Sequence, residues 1–398
     1  MTDSELWRSH ARELLGALNA KGLVKEKDLE DVYWAVPRHL YLDGFYEHHG
    51  GINPWQWQAA PPDPSNDSDW LARIYRDHPL VTRIDTRGMP TCSNSAPSLV
   101  FRMIAMLAVH PGERVVEIGT GTGQMAGLLG LIAGADGEVL TLDLDPDLAM
   151  TARERLAKFL PQARVTVRHA DGGTWQDQGA EYHALMATAS CWPVPAGWFA
   201  SLAPGGRACL ELRGNIDGAL LLARRASRGS NEVAHGRFSA QRAGFMRLTS
   251  PDAYLTEGAA TPFGFTEEGE EAGWAPAAGL GYRQLRQTGF GWYCQLELPD
   301  VEIAAFAVGP DRAYGWFLMA DYGLDAVRLP QDGSEPDARL TSYGGTSGLL
   351  HRLVSAWQAW QDYERPDPDD YQLVVTSDGM QRVELSGTPK SWCLDAEF

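Results

Sequence analysis

Positive charge is in short supply in this chain: 34 Lys and Arg stand against 52 Asp and Glu, a net charge of −18 with His neutral. A net-acidic surface repels phosphate backbones, so nucleic acid is a poor candidate partner. The deficit is also uneven. Residues 251–398 hold 24 acids and 9 bases (−15), whereas residues 1–250 hold 28 and 25 (−3), which points to a change of domain after residue 200. Cysteine is sparse: Cys92, Cys191, Cys209, Cys294 and Cys393 are odd in number and scattered. No CxxC or Cys/His spacing argues for zinc or a disulfide framework, so no metal is expected. No apolar run approaches the roughly 18 residues that span a bilayer. The opening stretch lacks a basic end followed by an apolar block, so the expectation is a cytoplasmic, soluble protein. Against these shortages, 44% hydrophobic and 22% charged residues over 398 positions are ordinary values for two or three folded domains.

Helical spacing is read over residues 4–20, 27–34, 95–109, 146–159 and 349–363. Residues 51–69 are rich in Pro, Asn and Asp and read as an irregular loop. Between residues 114 and 212 short apolar runs alternate with helical patterns, the signature of a parallel, doubly wound sheet. Pro204-Gly205-Gly206 reads as a turn before a strand at 207–212. Beyond 213 the pattern changes: antiparallel segments at 219–248, a Gly/Glu-rich connection at 256–281, aromatic strand-like segments at 289–320 and a closing hairpin turning at Ser377-Asp378-Gly379. The expected organisation is an N-terminal helical and loop region (1–90), an α/β Rossmann-like domain (91–213) and an additional C-terminal α+β extension (214–398).

The most informative segment is Glu117-Ile118-Gly119-Thr120-Gly121-Thr122-Gly123, directly after the first strand of the alternating region. Alternate glycines let the backbone pass close to a ligand while turning into a helix. The dinucleotide fingerprint is GxGxxG. The GxGxG spacing here, with an acid two positions upstream, favours a ligand without pyrophosphate, S-adenosylmethionine, whose ammonium would welcome that carboxylate. Asp143, about 20 residues on at the end of the next strand, is placed to accept both ribose hydroxyls. Asp145 reads as a helix cap for Pro146 onward. Asp171-Gly172, after the third strand, stands where the adenine edge is expected. Thr91, Ser93 and Ser95 supply hydroxyls just before a helix, although Ser95 could equally cap it.

These residues resemble the protein-L-isoaspartate O-methyltransferase family. The resemblance rests on Val36-Pro37-Arg38, Ser95-Ala96-Pro97, Val116 through Gly123, Asp143, Asp171-Gly172 and Leu202-Ala203-Pro204-Gly205-Gly206, over roughly residues 28–213. It implies a class I methyltransferase fold and an S-adenosylmethionine-dependent protein or peptide carboxyl O-methyltransferase, leaving S-adenosylhomocysteine as product. The length beyond 213, with Pro90 through Pro97 and Ser377 through Leu385, looks like the long actinobacterial branch that matures ribosomally made peptides (graspetides, lanthipeptides, lasso peptides). That implies esterification of an Asp side chain in a precursor peptide, already macrocyclised, and collapse of the ester to an aspartimide. The alternatives are repair of isoaspartate in damaged proteins and a non-catalytic partner that binds a precursor peptide; a nicotinamide oxidoreductase fits the glycine spacing less well. Two positions depart from the family pattern: His183 in the fourth strand and Gln124 after the last glycine.

An Asp carboxylate is ionised at neutral pH, so methyl transfer to it needs no general base. Positioning at attack distance does most of the work. Hydroxyl donors such as Thr91, Ser93 and Ser95 would hold the anion without the ground-state stabilisation of a bidentate Arg fork. Residues 207–247 carry eight arginines against three acids, which read either as a dock for an acidic peptide, with Arg224, Arg225 and Arg228 the residues to neutralise as a test, or as solvated strand faces. Trp55 and Trp57 are candidates to clamp a peptide, and Arg38 reads equally as a contact or a structural residue.

Overall fold

In the computed structural model the described residues are 3–48, 57–62, 67–86, 88–177, 179–227, 232–249, 270–272, 279–287, 289–308, 313–320, 325–334, 340–343 and 348–394. Trp55, Arg228 and most of the 256–281 connection lie outside them. The expected α/β architecture is present. A ten-stranded sheet runs, in spatial order, Ser391–Cys393, Gln381–Leu385, Tyr371–Thr376, Glu232–Ser239, Gly218–Arg225, Leu202–Arg213, Tyr182–Cys191, Arg114–Ile118, Glu138–Asp143 and Val165–His169. The five strands from Leu202–Arg213 to Val165–His169 pair in parallel, and the others pair antiparallel. The chain reverses its winding at Arg114–Ile118, so a crevice opens at the carboxyl end of that strand.

Alternation along the strands divides the core. Val115, Val139, Ala184, Met186 and Cys209 face one side, where they meet the helices Asp3–Ala20, Lys27–Ala35, Pro97–Leu107, Gln124–Ala133 and Pro146–Phe159. Val116, Ile118, Leu140, Leu142 and Leu185 face the other side and pack with Trp198, Phe290, Trp292 and Trp357. Both faces are buried, which is why these strands read as continuous apolar runs. A second sheet, entirely antiparallel, comprises Glu270–Ala272, Leu340–Tyr343, Asp325–Leu329, Ala313–Ala320 and Glu302–Val308. Its Leu318, Val327 and Leu329 join the core of the second face. Among the described residues no helix is long and apolar enough to cross a membrane.

Several expectations are revised. The main sheet does not end at residue 213: strands at 218–225, 232–239 and 371–393 extend it, so the C-terminal hairpin closes onto the same sheet. Pro204-Gly205-Gly206 lies within the strand Leu202–Arg213, not in a turn before it. Leu202 pairs with Tyr182 and Arg207 with Ala184, so the extra residues bulge, with Gly205 at φ +78°. The N-terminal region is more than helix and loop. It carries a four-stranded sheet of Trp57–Ala60, Phe45–His48, Leu80–Ile84 and Pro90–Asn94, and the helix Asp67–Ile74. The aromatic run Phe290–Glu297 is a helix, not a strand. Phe290 through Leu296 are all buried, so no polar face betrays a helical period.

Candidate active site

The glycine turn is built as its spacing demands. Gly119 (φ +93°), Gly121 (φ +51°) and Gly123 (φ +85°) occupy the left-handed region that only glycine adopts without strain. A Cβ on Gly119 would sit 2.9 Å from Thr188 Oγ1, and one on Gly123 3.0 Å from the Ala152 methyl. The amides of Gly119 and Thr120 donate to the Leu142 carbonyl at 2.8 and 3.1 Å, and Thr188 Oγ1 donates to the Gly119 carbonyl at 2.8 Å. The turn is thus fixed by neighbouring strands on both sides before any ligand arrives.

Asp143 is tied to this turn. Its Oδ2 accepts the Gly121 amide at 2.8 Å and its Oδ1 the Asp145 amide at 3.0 Å, leaving lone pairs on both oxygens. Burial pushes its carboxyl up, and those two amides oppose the push. Asp145 caps the helix Pro146–Phe159 by accepting the amides of Asp147 and Leu148, as expected, and also pairs with Arg83.

An open cleft, holding about 750 Å³ of space that includes solvent, lies over the turn. Its walls include Gly119, Gly121, Asp143 and Gly172, the apolar Ile118, Leu142 and Leu148, and Thr91, Ser93 and Ser95. These residues fit S-adenosylmethionine. Bare backbone at Gly119 and Gly121 admits close approach, Asp143 offers acceptors for ribose hydroxyls, and the apolar walls suit the adenine ring. Hydroxyls stand on the facing strand: a Cβ on Gly121 would lie 3.8 Å from the Ser93 carbonyl.

The other sequence candidates fall elsewhere. Glu117 is fully buried and is not a wall of the cavity. Thr141 Oγ1 donates to its Oε2 at 2.5 Å while Oε1 has no partner, and burial pushes its carboxyl up to about 8. Thr120 is buried with its hydroxyl on Thr141. Thr122 accepts from Asn94 and faces a different cleft. Asp171 spends its oxygens on Gly173 N and Thr174 Oγ1, a local turn at the edge of the cavity.

The hydroxyl strand is held by Arg38, which is structural. The guanidinium is 3% exposed and donates to Asn94 Oδ1 (2.6 Å) and to the carbonyls of Ile74, Arg76, His78, Asn94 and Ser95. Asn94 in turn donates to Thr122 Oγ1 and Gln124 Oε1, so Gln124 braces the hydroxyl strand against the glycine turn. Ser95 does not cap the following helix: Ala96 is the cap residue and no side chain bonds there. His183 accepts the Arg114 amide near the start of its strand, the end away from the cavity.

Sequence reasoning missed two parts of the cavity. Thr188 and Ala189 belong to the fourth strand, whose chemistry carries no motif. Met246 through Thr249 form the outer wall. They are held by Ser190, whose amide donates to Met246 O (2.8 Å) and whose carbonyl accepts from Leu248 N (2.7 Å). The buried Glu211 carboxylate also accepts the amides of Gly244 and Phe245.

Comparison with known proteins agrees with this geometry. The family model described as protein-L-isoaspartate(D-aspartate) O-methyltransferase (PCMT) matches residues 67–238. The protein-L-isoaspartate O-methyltransferase of Ignicoccus hospitalis is 30% identical over 195 residues, 49% of this chain and 78% of that protein. That of Anaeromyxobacter dehalogenans is 34% identical over 164 residues, 41% of this chain and 74% of its own.

The chain belongs to the protein-L-isoaspartate O-methyltransferase family.

As a member of the family it is an S-adenosylmethionine-dependent carboxyl O-methyltransferase with a class I methyltransferase fold. A solved structure named protein-L-isoaspartate O-methyltransferase superposes with a TM-score of 0.54 at 17% identity, covering 94% of this chain and 99% of that one. The C-terminal extension therefore has a fold counterpart under the family's own name. The extra length does not by itself mark a separate, peptide-maturing branch.

Proposed function

We propose that the protein methylates a carboxylate on an aspartate-derived residue of a polypeptide, and that the residue is an Asp side chain of a ribosomally made precursor peptide, already macrocyclised. The observation that carries this reading is the opposition of Thr91, Ser93 and Ser95 to the glycine turn across one cavity. The cofactor, when bound, supplies an electrophilic methyl on sulfur. In-line displacement by the carboxylate would break that S–CH₃ bond as O–CH₃ forms, with a neutral thioether as the leaving group. Ser93 and Ser95 orient the acceptor oxygen by hydrogen bonding, and no protein base is needed because the carboxylate is already ionised. The amide nitrogen of the following residue then attacks the ester carbonyl, loses its proton and expels methanol, closing an aspartimide.

The peptide substrate is supported by the walled shape of the site. Met246 through Thr249 wall the same cavity as the hydroxyl strand, which suits a compact, shaped substrate. The second reading, repair of isoaspartyl residues, is supported by the names of the relatives matched above. The two part in one experiment: the protein and S-adenosylmethionine are incubated with an isoaspartyl peptide or with a macrocyclic Asp-containing peptide, followed by mass spectrometry. Gain of a methyl and then net loss of one water on the macrocycle supports the first reading; turnover of the isoaspartyl peptide alone supports repair. Cofactor binding without methylation of either peptide would support a precursor-binding partner instead.

A further inference from the structure

Beside the cofactor cavity, and sharing Arg247 and Leu248 with it, lies a second recess with about 540 Å³ of open space that includes solvent. It is walled by the end of the strand Leu202–Arg213, the 246–249 segment and the buried helix Phe290–Glu297. Arg213, Arg247, Asn215 and Gln295 line it. The two arginines are unlike their neighbours in sequence. Arg207 pairs with Glu113, Arg225 is spent on the carbonyls of Ala200 and Leu202, and Arg242 pairs with Asp217. Arg224 and Arg225 also lie on the wrong edge of the sheet for substrate. In the antiparallel register Arg224 meets Arg207 at the amino end of the parallel strands, whereas Gly218 meets Arg213 at the cofactor end.

Neither the Arg213 nor the Arg247 guanidinium donates a hydrogen bond within the described residues, and Arg247 has no ion pair there. The acids nearby are already engaged or offset. Glu211 approaches Arg213 only at 3.8 Å and gives both oxygens to the amides of Gly244 and Phe245. Asp217 is held by Arg242 and Arg286. Glu302, exposed on the second sheet, is the acid whose field reaches Arg247. A further polar group lacks a partner in the same wall. Gln295 is 1% exposed, and its Oε1 accepts the amides of Ile216 and Asp217, while its Nε2 has no hydrogen-bond partner. A buried amide donor without a partner is unfavourable, and two guanidiniums on one recess repel, so the recess is organised for an anion.

We propose that Arg213, Arg247 and the Gln295 carboxamide form a carboxylate subsite that grips a second acidic side chain of the polypeptide substrate while its neighbour is methylated. The inference rests on the polypeptide reading above. The recesses share a wall, so the gripped acid lies close to the acceptor along the substrate chain. The subsite also answers how a chain of net charge −18 recruits an acidic segment: it places two guanidiniums side by side next to the cofactor cavity.

The test uses the full-length protein and a set of acceptor peptides carrying Glu, or Gln in its place, at each of the three positions on either side of the acceptor. Anisotropy measures binding in the presence of S-adenosylhomocysteine, and initial rates give KM. At one position the Glu peptide should bind about 10-fold more tightly than the Gln peptide, in line with a charge-assisted contact. Arg213→Gln should erase that difference while S-adenosylhomocysteine still binds with unchanged affinity. Arg213→Glu should reverse the preference toward a peptide with Lys at that position. Equal binding of Glu and Gln peptides at every position, or a preference that survives Arg213→Gln together with Arg247→Gln, overturns the subsite. Failure of the wild-type protein to methylate any peptide would count against the functional reading, while the binding comparison would still decide the subsite.

Discussion

Replacing Asp143 by Asn tests the cofactor half of the site with the least change of volume. In the native protein each carboxylate oxygen accepts one backbone amide, Gly121 N at 2.8 Å and Asp145 N at 3.0 Å. Asn has one acceptor oxygen and one NH₂, so whichever way it is placed, one amide donor faces another donor. A buried donor left unpaired costs about 1–3 kcal/mol, here taken from the turn that carries Gly119 to Gly123. The charge that would strengthen two ribose hydrogen bonds is also lost, worth about 1.5 kcal/mol each. The sum for ligand binding is about 3 kcal/mol, or roughly a 150-fold weaker Kd. Isothermal titration with S-adenosylhomocysteine reads this directly, and circular dichroism confirms that the variant is folded. A folded Asp143→Asn protein that binds within about threefold of wild type would refute the assignment of this carboxylate to the cofactor.

Other consequences follow from the same geometry. Gly119→Ala places a methyl 2.9 Å from Thr188 Oγ1 at φ +93°, so it should cost about 1–3 kcal/mol and weaken the thermal shift produced by S-adenosylhomocysteine. Arg38→Met strips donors from six acceptors, three in buried and three in part-buried bonds, and should destabilise the protein by about 3–5 kcal/mol in denaturant titrations; loss of less than about 1 kcal/mol would show the network to be dispensable. Glu117, with its carboxyl raised by burial from its ordinary 4.5 to about 8, holds a proton in the folded state over a window where the unfolded chain has lost it. Stability should therefore fall as pH rises through that window, by up to about 1.4 kcal/mol per pH unit from this group, and Glu117→Gln should remove that slope from the pH dependence of unfolding.

Much of the cofactor site was legible because its constraints are local. The glycine spacing and the acid at the end of the next strand are set by backbone geometry within one βαβ unit, and Gly119, Gly121 and Asp143 duly meet in one cavity. Glu117 misled because a strand residue's face depends on the sheet around it: at 117 the side chain turns into the core beside Thr141, away from the cavity. Phe290–Glu297 was unreadable for a related reason, since a helix buried on every side shows no periodic contrast. The outer wall at Met246 through Thr249 arrives from beyond a hairpin and is fixed by main-chain bonds to Ser190, which leave no imprint on side-chain type. The arginine-rich stretch spans both edges of the sheet, which its sequence alone does not reveal. Only the antiparallel register separates Arg213, at the cofactor edge, from Arg224 at the far one.

The most direct measurement is transfer from S-adenosylmethionine carrying a labelled methyl to aspartyl and isoaspartyl peptides, followed by alkaline hydrolysis. A carboxyl methyltransferase places the label in an ester on the aspartate-derived residue, so base releases it as methanol. Label that resists base, or no transfer by a protein that binds S-adenosylhomocysteine, would contradict the account.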